Sequence, residues 1–151
     1  MIGLLLLLLF VIAPIGLVIH ELGHILGGAL CRAEYSVLTI GAGSSIIRIK
    51  FQKLHIIIGS LYFWGGHSAN IKNPGFTRFQ KVLISMGGPA ANAVVCTLLI
   101  YTNSERAGWM DLFLLFNLYL AISNLLPFRI GRRKSDGYLI FENLLARRVE
   151  Y

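Results

Sequence analysis

From Ile2 to Leu30 the chain is almost unbroken in apolar residues, and Glu21 is the only charged side chain before Arg32. Two more runs, Val82 to Thr102 and Trp109 to Leu126, come close to or exceed the roughly 20 apolar residues a helix needs to cross a bilayer. Three spanning helices are therefore predicted. A secretory signal is also apolar, but no basic segment precedes the first run and no small-residue cleavage site follows it, so the first span is expected to be retained. Between the first two spans the period changes. Ile47, Ile49 and Phe51 alternate with Arg48 and Lys50, which is strand periodicity, and Tyr35 to Ile40 and His55 to Trp64 are rich in β-branched and aromatic residues. Gly41-Ala42-Gly43-Ser44 reads as a turn between the first two strands, and Gly65-Gly66 and Asn73-Pro74-Gly75 as turns that close the region. The expected architecture is a mainly α membrane domain over residues 1–151. Its three-helix core carries a small antiparallel β-sheet, about residues 35–64, between the first and second helices, and a basic loop and C-terminal segment occupy 128–151.

Composition agrees with a membrane class: 56% of the 151 residues are hydrophobic and 14% charged, with mean hydropathy +0.69. Charge placement sets the expected orientation, because Lys and Arg near spans favour the cytoplasmic side. Seven of the 14 lie between Cys31 and Lys81 and six after Leu126, whereas the 103–111 connection holds only Arg106, against Glu105 and Asp111. The chain is thus expected to be a multi-pass cell-membrane protein with its N-terminus outside and its C-terminus in the cytoplasm. The same asymmetry accounts for a net charge of +7 without nucleic acid, for which no aromatic-interleaved basic stripe exists. Cys31 and Cys96 fall at different depths and read as packing residues, and His55 and His67 as solvated or interfacial.

Within the first span lies His20-Glu21-Leu22-Gly23-His24. Histidines at i and i+4 share a helix face, the spacing with which HExxH enzymes grip zinc while the Glu acts on water. An ionised Glu at bilayer depth costs roughly 3 kcal/mol. A metal would supply the partner such a cluster needs.

The second span carries Gly87-Gly88-Pro89-Ala90-Ala91-Asn92, and the first offers a matching small-residue surface at Gly23 and Gly27. His24 lies eight residues from Arg32 and Asn92 eleven from Lys81, depths of about 12 and 16 Å at 1.5 Å per residue. Asn92 is thus placed near the level of the histidines. From position alone, a hydrogen bond to a neighbouring helix and a catalytic role account for it equally well.

These residues together resemble the site-2 protease family of intramembrane zinc metalloproteases: HExxH in the first span, Gly88-Pro89-Ala90-Ala91-Asn92 in the second, and Asn124-Leu125-Leu126-Pro127 ahead of Asp136-Gly137 at the third. The resemblance covers essentially the whole chain, as a compact member without an added extramembrane domain. It implies a three-helix catalytic core with a β-hairpin region after the first helix, and Zn2+ as cofactor. It further implies His20, His24 and Asp136 as zinc ligands, Glu21 as general base and Asn92 as a substrate-contacting residue. The implied activity is cleavage of a transmembrane protein or peptide within or near the bilayer; a catalytically inactive relative that binds transmembrane partners is the alternative, which would have no reason to keep His20, Glu21 and His24 together. Elimination also favours Asp136: Glu34 lies about 15 Å beyond His24 if the helix continues, and Glu142 sits past the apolar 138–141 run. The sequence departs from the family's pattern at Phe128 to Ser135, a basic stretch where familiar members have a short apolar one. That loop is expected to reach cytosol or headgroups before Asp136 returns.

Overall fold

A computed structural model describes residues 2–102, 108–131 and 133–145. Expectations involving Glu105, Arg106, Arg132, Arg147, Arg148 and Glu150 fall outside this set.

Three helical stretches, Ile2–Leu30, Arg78–Thr102 and Gly108–Leu125, are long and apolar enough to cross a membrane. The first comprises α1 (Ile2–Leu7), a π-helical turn (Leu8–Ile12) and α2 (Ala13–Leu30). Pro14 explains part of this irregularity, since it has no N–H to give the Phe10 carbonyl four residues back. The Tyr62 hydroxyl donates to that carbonyl at 3.2 Å, and Phe63 meets the Phe10 ring edge-on at 4.9 Å between centroids. A weak point in the first span thereby becomes an attachment point for the sheet.

The second span, α3 (Arg78–Thr102), starts four residues before hydropathy alone places it. The reason is a capping box: Gln80 N–H donates to Thr77 Oγ1 (3.3 Å), and Thr77 N–H donates to Gln80 Oε1 (3.1 Å). Helices α2 and α3 touch backbone to backbone, as the small residues predict. A Cβ on Gly23 would collide with the Gly87 carbonyl, and one on Gly87 with that of Gly23. The third span, α4 (Gly108–Leu125), packs against α2 nearer its N-terminal end, where Phe116 and Leu120 fill the space left by Gly16.

Between α2 and α3 lie two long strands, β1 (Tyr35–Phe51) and β2 (Leu54–Ile71), paired antiparallel. Tyr35 opposes Ile71 and Ile40 opposes Gly66 at one end; Ile47 opposes Ile58 and Phe51 opposes Leu54 at the other. Residues 36–40 also lie against 54–58, from Ser36 opposite Leu54 to Ile40 opposite Ile58, and so occupy the middle of the sheet. Two expected turns are thereby corrected. Gly41 to Ser44 does not end a strand: β1 bends through it, with φ of 79° at Gly41 and 83° at Gly43, values that a residue without Cβ tolerates. Gly65-Gly66 does not close the region either, because β2 runs on through it to Ile71.

After α4 a two-residue hairpin, β3 (Arg129–Ile130) against β4 (Arg133–Lys134), leads into α5 (Asp136–Leu145). Its ends are tied together. Ser135 N–H donates to the Phe128 carbonyl (3.0 Å) and Phe128 N–H to Ser135 Oγ (3.0 Å). The basic stretch thus leaves and returns at one point, and Asp136 begins α5 close to where α4 ends, with Gly137 pressed against the Leu125 carbonyl.

Candidate metal centre

Gly16, His20, Gly23 and Gly27 fall at helical spacing on the buried face of α2, so the glycines that admit α3 and α4 also bring their side chains close to His20. His20 Nδ1 lies 2.7 Å from Asn92 Oδ1, and His24 Nδ1 lies 2.7 Å from the Ile84 carbonyl. A carbonyl oxygen only accepts, so each Nδ1 carries the proton and each Nε2 presents a lone pair; at His24 the 2.7 Å contact to Ile84 outweighs the 3.3 Å approach of the Gly88 N–H to the same nitrogen. The two Nε2 atoms are 3.2 Å apart. Asp136 completes the group from the first turn of α5, with Oδ2 3.0 Å from His20 Nε2 and Oδ1 3.3 Å from His24 Nε2.

Three electron-pair donors brought this close need positive charge between them. A proton on one imidazole satisfies one pair; a divalent cation satisfies all three. The distances suit the second case, since ligands about 2.0–2.1 Å from a tetrahedral zinc lie about 3.3 Å from one another. Room for an ion is provided by Gly88, where a Cβ would sit 2.5 Å from His24 Nε2 and 2.6 Å from His20 Nε2. Among the described residues, His20, His24 and Asp136 form the group able to hold a metal ion.

The site opens on a cavity of about 920 Å³. Glu21 lies on its wall beside the histidines, and its Oε2 accepts a 2.6 Å hydrogen bond from Ser68 Oγ. Asn70, two residues on, donates from Nδ2 to the His24 carbonyl at 3.0 Å and accepts from Ser36 Oγ at 2.6 Å. Neither residue was singled out in the sequence, although Gly66, Ser68 and Asn70 alternate with the period of a strand face. His67, read as solvated or interfacial, is exposed but lines the same cavity, whereas His55 stacks on Tyr35 away from it. The other carboxylates considered are engaged elsewhere. Glu142 pairs with Lys134 at 2.6 Å on the surface, and Glu34 Oε1 accepts from Asn73 N–H at 3.1 Å.

Asn92, cast by the resemblance as a substrate contact, is 0% exposed and lies behind His20 rather than on the cavity wall. Its amide is used up by His20, the Gly16 carbonyl (3.2 Å) and Asn117 (2.8 Å). Asn117 was also missed. Its signal is a lone amide in the middle of an apolar span, which must find a partner there.

The model of peptidase family M50 matches residues 5–108, which takes in the HExxH sequence, the sheet and all of α3.

Proposed function

The chain belongs to peptidase family M50, the site-2 protease family, and on that premise we propose that it is an intramembrane zinc metalloprotease cleaving transmembrane proteins or peptides within or near the bilayer. The observation that carries this reading is the convergence of two imidazole lone pairs and a carboxylate beside a glutamate on the wall of a cavity. His20, His24 and Asp136 would hold the zinc, which supplies Lewis acidity at the scissile carbonyl. Glu21 is the general base: it takes the proton of the attacking water and returns it to the departing amine. Ser68 holds one oxygen of that carboxylate on the cavity wall, which restrains its rotamer. Asn92 acts through His20, as a positioning residue.

A spanning helix presents no free backbone hydrogen bonds, so a substrate must unwind before it is cut. The part of β2 over residues 66–71 is the segment best placed to receive it. That segment pairs with β1 on one side, and Gly66, Ser68 and Asn70 line the cavity. A substrate strand added there would recover its backbone bonds beside Glu21. This edge lies just beyond the 35–64 region in which the sequence places the sheet.

The test uses Glu21→Gln, which removes proton transfer and keeps the shape. In purified, reconstituted protein the variant is expected to lose cleavage by at least 100-fold while zinc content stays at the wild-type level. Membrane proteomes of cells carrying the two forms then identify the substrates, as proteins that accumulate uncut with the variant. Cleavage by Glu21→Gln at the wild-type rate would rule out the mechanism.

A further inference from the structure

A line of side chains runs from a backbone carbonyl of α4 to the metal centre, and the orientation of each follows from the one before. The Phe113 carbonyl can only accept, and Asn117 Nδ2 donates to it at 2.8 Å. Asn117 Oδ1 therefore points the other way, where it accepts from Asn92 Nδ2 at 2.8 Å; the Gly16 carbonyl takes the second N–H of that nitrogen at 3.2 Å. Asn92 Oδ1 is left facing His20 Nδ1 at 2.7 Å, which puts the imidazole proton on Nδ1 and the lone pair on Nε2. Both asparagines are 0% exposed, so water offers neither of them another arrangement.

We propose that Asn117 is a positioning residue of the metal centre, which sets the Asn92 amide and through it the tautomer and aim of the His20 imidazole. The inference rests on reading His20, His24 and Asp136 as metal ligands. It assigns to α4 a part in the site beyond packing. Asn117 itself touches neither the cavity nor the ligands; the Gly16 carbonyl shares the work, so loss of Asn117 weakens the arrangement without abolishing it.

The test is made on the full chain in detergent, with 15N-labelled histidine, before and after addition of zinc. In the metal-free wild type, His20 is expected to carry a proton on Nδ1, as the neutral Nδ1–H tautomer or as the imidazolium paired with Asp136. Asn117→Leu should show a mixture of tautomers and bind zinc about tenfold more weakly, at the lower end of what loss of an outer-shell partner costs. Asn117→Asp, a neutral acid in this surrounding, keeps an oxygen toward Asn92 and should restore both properties to within about twofold. An Nε2–H tautomer in the wild type would overturn the proposal without recourse to any variant. So would a folded Asn117→Leu with wild-type tautomer and zinc affinity, or an Asp variant as impaired as the Leu variant. If the tautomer follows Asn117 but the wild type binds no zinc, the metal-centre reading fails and the amide relay stands.

Discussion

At Gly88 the missing side chain is the functional feature. Its Cβ would come 2.5–2.6 Å from both metal-facing nitrogens, in the space an ion needs, and the nearest atoms belong to rings already fixed by Asn92 and Ile84. Gly88→Ala is therefore expected to lower zinc affinity at least tenfold with the helices still packed, measured by zinc titration alongside circular dichroism; unchanged affinity would mean that the ion sits elsewhere. Much of this scale was legible in the sequence. The convergence of His20 and His24 followed from spacing alone, because i and i+4 share a face wherever the helix goes. Asn92 was placed at the right depth, but its surroundings depend on Gly16 and Asn117, which come from two other helices. Ser68 gave only a strand-period hint, since its role depends on how β2 lies across α2.

Among the elements, the three spans were legible and the joins between them less so. Hydropathy does not see Thr77 and Gln80, so α3 begins earlier than its apolar run; nor does it see that glycines at 41, 43, 65 and 66 lie within continuous strands, because the same residues serve bends and turns. The hairpin before α5 is the clearest case. A basic run in the place of a short apolar stretch reads as a displacement of Asp136, yet its ends are bonded to each other and it adds no net path. Ser135 is the clamp: its hydroxyl donates to the Leu126 carbonyl (2.7 Å) and accepts from the N–H groups of Phe128 (3.0 Å) and Tyr138 (3.1 Å). Ser135→Ala removes the cap of α5 and the side-chain bonds that close the loop, leaving the backbone bond from the residue 135 N–H to the Phe128 carbonyl. The expected cost is about 1–2 kcal/mol in stability, together with a fall in zinc affinity of about tenfold as Asp136 loses its fixed starting point. Equilibrium unfolding and zinc titration on the same preparation check both; a stability loss with unchanged zinc affinity would show that the cap does not position Asp136.

On the scale of the whole molecule, three apolar helices surround a small polar centre, and side chains such as Leu26, Leu98 and Tyr101 face outward, as a lipid solvent allows. The proposed orientation, N-terminus outside and C-terminus cytoplasmic, rests on the Lys and Arg asymmetry. It predicts that a cysteine at Lys53, in the turn between β1 and β2, reacts with an impermeant thiol reagent only after the membrane is opened, and that one at Gly108, at the start of α4, reacts in intact cells. The native Cys31 and Cys96 are buried and are replaced for the experiment; the opposite labelling pattern would invert the topology. The central claim, that three protein ligands from two separate helices hold one zinc, is tested most directly by metal analysis of purified wild type, Asp136→Ala and Glu142→Ala. The account predicts about one zinc per chain in the wild type and in Glu142→Ala, and clearly less than one in Asp136→Ala, because an open zinc site needs all three protein ligands. Full zinc in Asp136→Ala, with loss in Glu142→Ala, would contradict it.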